Sequence, residues 1–254
     1  MKTTEKNNLF YLLWLGFRSI LFWIGFAGIT IIAGLISPIL YLLSDSIRYK
    51  TLLIWSHFNI WLLKVVCGIQ YQVQGYENIN FKQNAILLPN HQSTWETMFL
   101  PTIFPSISWV LKRELFKIPF YGWALPLLRP IGIDRKAGRS AVEQVKTIGK
   151  QRLDEGNWVC IFPEGTRVAP GVKARYKMGG ALLAAYSQYP VYPIAHNAGE
   201  CWPRNTFIKR PGRITVSIGP KIESKNSSPS EINEAVRSWI ETELTNLPPV
   251  RSTH

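Results

Sequence analysis

Residues 19 to 44 run from Ser19 to Ser44 without one charged side chain. As a helix these 26 residues would extend ~39 Å at 1.5 Å per residue. About 20 residues suffice to cross a ~30 Å hydrocarbon core. A chain with such a stretch must bury it in lipid or in a protein core. A cleaved signal peptide fits poorly, because the stretch is too long and shows no small-residue cleavage site. Pro38 is placed to kink the helix. A second apolar segment, residues 52–66, follows Arg48 and Lys50. Its polar residues Ser56, His57, Asn59 and Lys64 gather in about half of the helical wheel, so it reads as an interfacial helix with those residues toward water. Lys2, Lys6 and Arg18 precede the first segment, so basic residues stand on both sides of it and the positive-inside rule assigns no orientation. Residues 1–68 are expected to form a two-helix membrane element, and residues 69–254 a separate domain.

That second part alternates between two periods. Residues 69–74 alternate apolar and polar, the pattern of a half-exposed strand. Residues 85–89, 107–111, 157–161, 191–195 and 214–218 are short apolar runs that read as buried strands. Between them, residues 138–154 place Val142, Val145, Ile148 and Leu153 at helical spacing, and Gly156 is suited to end that helix. Residues 178–185 form a small-residue helix. Ser228-Pro229-Ser230-Glu231 is a capping box with proline at the first helical position. Strands alternating with helices specify an α/β fold with a mixed, largely parallel sheet flanked by helices.

Two of these strands end in polar turns. Residues 85–89 run into Asn90-His91-Gln92-Ser93-Thr94-Trp95-Glu96. Open α/β sheets carry their sites outside the carboxyl ends of the strands, so His91 is well placed for chemistry. Glu96 can hold its imidazole in one tautomer and stabilise the charged form. On one helix, five residues put two side chains ~140° apart. The pair therefore converges only if His91 precedes the helix and Glu96 lies on its first turn, with Ser93 or Thr94 as the cap. Residues 157–161 run into Phe162-Pro163-Glu164-Gly165-Thr166-Arg167. That turn combines a carboxylate, a glycine that admits close backbone approach, a hydroxyl and a guanidinium suited to bidentate phosphate binding. The plainer readings are a structural histidine and a turn with a surface ion pair.

Charge points the same way. The net charge is +13, and residues 112–177 alone carry 14 Lys or Arg against six Asp or Glu. Such a field favours phosphate ligands and anionic membranes, at roughly 1 kcal/mol per basic residue near the lipid. Nucleic acid is disfavoured as a partner, since there is no zinc-ligand spacing, RNP-like motif or basic-aromatic repeat. Cys67, Cys160 and Cys201 are widely spaced, which gives neither a disulfide framework nor a metal site and suits a reducing compartment.

The stretch from Asn90 to Glu96 resembles the His-x4-Asp motif of the glycerolipid acyltransferases, the family that includes the 1-acyl-glycerol-3-phosphate acyltransferases. FPEGTR is similar to that family's third motif, Ile131-Gly132-Ile133-Asp134-Arg135 to the second, and Val191-Tyr192-Pro193-Ile194 to the fourth. Together they cover residues 90 to 194, in the family's order. One position departs: the acid is Glu96, one methylene longer than Asp. The resemblance implies a membrane-bound enzyme of phospholipid biosynthesis, moving an acyl chain from acyl-CoA or acyl carrier protein to lysophosphatidic acid and making phosphatidic acid. It implies no bound cofactor or metal, and catalysis on the cytoplasmic side of the inner membrane. On this reading His91 is the general base and Glu96 its orienting acid. Arg167, helped by Arg135, binds the acceptor phosphate, with Lys112 as a further candidate. Glu164, Gly165 and Thr166 shape the glycerol site, Pro193 walls it, and His196 serves structure or rim. No serine or cysteine nucleophile is required. Other acceptors (glycerol-3-phosphate, another lysophospholipid, a lyso-aminolipid) stay open, as do a thioester hydrolase and a non-catalytic phospholipid-binding protein.

Overall fold

A computed structural model describes residues 9–250 of the chain; Lys2 and Lys6 lie outside them. The chain opens with two antiparallel-connected helices, α1 (Leu9–Leu40) and α2 (Asp45–Cys67). Among the described residues, only α1 is long and apolar enough to cross a membrane by length and composition. It begins ten residues before the uncharged stretch, so Arg18 falls inside it. That guanidinium is used: its Nε donates to the Val66 carbonyl in the last turn of α2, the negative end of that helix. Pro38 does not break α1. Its missing N–H would have gone to the Gly34 carbonyl, and the Ser37 hydroxyl donates there instead at 2.7 Å.

Seven strands follow: β1 (Ile69–Gln74), β2 (Ile86–Pro89), β3 (Ile107–Lys112), β4 (Ile131–Ile133), β5 (Trp158–Cys160), β6 (Val191–His196) and β7 (Gly212–Ile218). They form one sheet in the order β1-β7-β6-β2-β5-β3-β4. Every pairing is parallel except β6 with β7. Strands β2 to β6 therefore point their carboxyl ends to one edge, and the motif turns emerge there together. Short α3 (Trp95–Phe99) follows β2, and α4 (Tyr121–Ala124) lies between β3 and β4. After them come α5 (Arg139–Asp154), α6 (Gly179–Ser187), α7 (Ala198–Cys201) and α8 (Pro229–Asn246). The expected capping box starts α8: Ser228 accepts from the Glu231 N–H and Glu231 reaches back to Ser228 N–H.

Helices α5, α6 and α8 cover one face of the sheet, burying Val145, Leu183, Val236 and Ile240 against Ile86, Leu88 and Val159. The buried face of α5 is Ala141, Val145, Gly149 and Leu153, turned slightly from the one its larger residues suggest. A Cβ on Gly149 would stand 2.7 Å from the Leu183 side chain, so close packing chose the small residues. The other face carries α1, α2 and α3. Phe22, Ile60, Leu63 and Cys67 share one apolar cluster with Trp95, Phe99, Trp158 and Tyr192. Ser56 and Asn59 of α2, expected toward water, are buried in this interface, while His57 and Lys64 face outward. Packing against the sheet outweighs the polarity of two small side chains.

The loop between α7 and β7 also docks on α1. Lys209, 1% exposed, sits with Nζ 3.7 Å from the Trp23 ring and 4.4 Å from the Trp202 ring, and donates to the Phe207 carbonyl at 2.8 Å. Desolvation pushes its ammonium down to about 7; the ring faces, attracting a cation, work in the opposite direction. Its backbone N–H donates to Ser19 Oγ at 2.9 Å.

A contact between backbones fixes where α1 meets the domain. A Cβ on Gly34 would fall 2.4 Å from Phe120 Cα, whereas one on Gly28 would meet nothing within 4 Å. Gly34→Ala should therefore lower the thermal midpoint, at a cost of ~1–3 kcal/mol, and Gly28→Ala should leave it unchanged or raise it. Melting curves of both variants in one detergent check this.

Candidate active site

The turn after β2 is built around one carboxylate. Glu96 is fully buried, and its Oε1 accepts from His91 Nδ1–H at 2.7 Å, Gln92 N–H at 3.0 Å and Ser93 N–H at 2.9 Å. The expected convergence of His91 and Glu96 is present, with His91 before α3 and Glu96 on its first turn. Of the two expected caps, Ser93 serves: its Oγ accepts from the Trp95 N–H at 3.2 Å, while Thr94 makes no side-chain cap bond. Glu96 gathers the two turn amides ahead of the helix, Gln92 and Ser93, and its extra methylene supplies the reach to do so. Burial works to raise its carboxyl. The His91 imidazole and the hydrogen bonds from His91 and Ser93 outweigh burial and hold it below the usual range. An ionised Glu96 fixes a proton on His91 Nδ1 and leaves Nε2 free to accept one.

His91 is gripped by the second turn as well. Its N–H donates to Glu164 Oε2 at 2.5 Å, and its carbonyl accepts from Val168 N–H at 2.7 Å. Its ring stacks on Phe162 with centroids 3.8 Å apart, and Phe162 stacks in turn on Trp109. Arg167 Nη1 donates to Thr94 Oγ1 at 3.0 Å, closing the same pair of loops. Gly165 has φ +68°, the left-handed region that the turn demands.

His196, at the end of β6, is fully buried behind Glu96, with Nε2 3.9 Å from Oε1. Nε2–H donates to the Asn90 carbonyl at 2.9 Å, and Nδ1 accepts from Ala198 N–H at 3.3 Å. Those partners define a neutral imidazole, and burial lowers its affinity for a second proton. Asn90 returns two further bonds to the His196 backbone. His196 and Asn90 thus brace the strand end that carries His91.

A cavity of about 300 Å³ opens beside His91. Helices α1 and α2 supply an apolar wall through Ala33, Leu52, Leu53 and Trp55, and Trp55 Nε1 donates to Thr30 Oγ1 across the helix pair. Trp109, Phe162 and Thr166 line the sheet side, and Lys112, Arg135, Arg167 and Arg204 bring positive charge. Lys112 is exposed and paired with Glu114 at 3.4 Å. Among the described residues, no three His, Cys, Asp or Glu side chains gather as a metal site. Three sequence candidates stand elsewhere: Gly165 does not line the cavity, and a Cβ there would meet the Lys177 side chain. Glu164 does not line the cavity; it is spent on the His91 peptide. Pro193 lies in mid-sheet beside Leu88, and its ring faces Gly219 and Trp239 of α8, so it walls no part of the cavity. Asn90 and Arg204 were not singled out by sequence: Asn90 precedes the histidine without a separate signal, and Arg204 lies in a loop outside every motif.

The match to known proteins agrees with this geometry. A family model described as Acyltransferase covers residues 70–197. A 1-acyl-sn-glycerol-3-phosphate acyltransferase of Pseudomonas aeruginosa is 45% identical over 200 residues, 78% of this chain and 77% of that protein. The chain belongs to the acyltransferase family. A 1-acyl-sn-glycerol-3-phosphate acyltransferase of Limnanthes alba is 30% identical to this acyltransferase over 74% of its chain and 66% of the relative. The crystal structure of the 1-acyl-sn-glycerophosphate acyltransferase PlsC of Thermotoga maritima superposes with a TM-score of 0.76. That likeness covers 93% of this chain and 97% of that one at 23% identity, and it speaks for the fold.

Burial pushes the Glu164 carboxyl up to about 8, although the His91 N–H bond works against that rise. The folded acyltransferase therefore keeps a proton that the unfolded chain releases above about 4.5. This contribution to stability is complete below about 4.5 and is lost as pH rises through about 8. In Glu164→Gln, which cannot ionise, that decline should vanish. Thermal midpoints measured across this window should move in the variant's favour, relative to the parent, as pH rises.

Proposed function

We propose that this acyltransferase moves an acyl chain from a thioester to the sn-2 hydroxyl of lysophosphatidic acid, making phosphatidic acid for phospholipid synthesis. The observation that carries the reading is a His91–Glu96 dyad, its acid buried and its imidazole opening onto one cavity with apolar and cationic walls. A lysophospholipid carries both matching parts, a chain and a phosphate. The names of the relatives in Pseudomonas and Limnanthes support the same acceptor.

His91 Nε2 takes the proton of the acceptor hydroxyl as its oxygen attacks the thioester carbonyl. Glu96 offsets the charge on the imidazolium. The tetrahedral intermediate collapses to the ester, and the departing thiolate takes the proton back from His91. Nothing is consumed but the thioester and the alcohol. Arg167 and Arg135 hold the phosphate, with Lys112 near the entrance. Glu164 and Gly165 set the turn that presents Thr166 and Arg167. The donor is an acyl-CoA or acyl carrier protein thioester.

The acyltransferase works at the phospholipid membrane, on the cytoplasmic side of the inner membrane. Exposed Phe17, Ile24, Leu35 and Ile39 on α1 would sit in lipid, where an acceptor with one acyl chain resides. Entry from the bilayer then brings the chain directly to the wall made by α1 and α2.

Purified protein given lysophosphatidic acid and an acyl thioester should yield phosphatidic acid by mass spectrometry. His91→Ala should abolish the product. Glu96→Gln should lower kcat by roughly 10²–10⁴-fold. Acylation of a different acceptor in preference, or full activity without His91, would reject the assignment.

A further inference from the structure

Arg204 lines the reaction cavity from a loop that none of the four motifs includes. Its Nη1 donates to the Arg167 carbonyl at 3.0 Å, which makes neighbours of two arginines 37 positions apart. Among the described residues no carboxylate lies within 4.0 Å of either guanidinium. Lys112 is the contrast, since Glu114 already neutralises it. Two unpaired guanidinia at one cavity repel each other until an anion bridges them. Their forks suit a phosphate, and a phosphate monoester carries about −1.5 to −2 at neutral pH.

The loop is held firmly enough to present that charge. Trp202 is buried edge-on against Phe22, and Trp23 Nε1 donates to the Phe207 carbonyl at 3.3 Å. Lys209 donates to the same carbonyl from within its aromatic surround. Thr206 Oγ1 donates to the Pro203 carbonyl at 2.9 Å, which closes the turn that carries Arg204. The cation is thus fixed on one side by α1 and on the other by the Arg167 backbone.

We propose that Arg204 is a phosphate ligand of the acyl acceptor, acting with Arg167. This rests on the lysophosphatidic acid reading above. Steady-state kinetics with each substrate varied in turn provide the test. Arg204→Ala should raise the KM for lysophosphatidic acid about tenfold or more, with the thioester KM unchanged and the thermal midpoint close to that of the parent. Arg204→Gln separates contact from bracing. It keeps a donor for the Arg167 carbonyl but no charge, so its acceptor KM should match that of Arg204→Ala, and Arg204→Lys should recover part of the loss. A parental KM in Arg204→Gln would show that Arg204 only braces Arg167 and would overturn the proposal. So would a rise in the thioester KM alone, which would assign the residue to the donor. A parent enzyme that ignores lysophosphatidic acid rejects both readings. One that uses it while Arg204→Ala keeps its acceptor KM rejects the Arg204 assignment by itself.

Discussion

The site depends on a buried negative charge held by three donors on one oxygen. Glu96 Oε1 collects an imidazole N–H and two backbone N–H groups, while Oε2 is buried without a hydrogen-bond partner among the described residues. Charge-assisted bonds of this kind offset the cost of taking a carboxylate out of water. They also tie the turn before α3 to the helix, so one side chain fixes that turn and sets the proton on His91. A shorter acid in the same backbone would sit farther from these amides. The longer side chain and the turn geometry belong together.

The second constraint is the sheet. Five parallel strands end at one edge, and β2 and β5 are neighbours there although their turns begin 72 positions apart, at Asn90 and Phe162. Adjacent carboxyl ends bring the His91 turn against the Arg167 turn without any long-range accommodation. The cavity is finished by elements of a different kind. α1 and α2 supply its apolar wall, and their inner faces belong to the same apolar cluster as Trp95 and Trp158. The same helix pair leaves apolar side chains such as Ile24, Leu35 and Trp61 exposed on its outer side and lines the cavity on its inner one.

Much of this was legible in the chain. Short apolar runs marked five of the seven strands and alternation marked β1, and the α8 capping box is visible in four letters. β4 was seen only as part of a motif, since three residues carry no period. The inward turn of Ser56 and Asn59 was not legible, because a wheel ranks side chains by polarity and cannot weigh the surface opposite. The buried side of α5 shifted for a related reason: Ala141 and Gly149 count little in hydrophobicity but allow the closest approach. Pro193 follows a motif pattern, yet strand pleat sends its ring to the α8 side of the sheet. Arg204 has no sequence mark at all, since only the tertiary path of its loop brings it to Arg167.

The backbone of His91 is bonded at both its N–H and its carbonyl to the loop after β5. The imidazole therefore has no geometry of its own. It inherits one from a segment more than 70 positions downstream. Transplanting the histidine turn alone into a related scaffold would carry the letters of the motif without its shape. The two loops form a single heritable unit, and drift in either must be answered by the other.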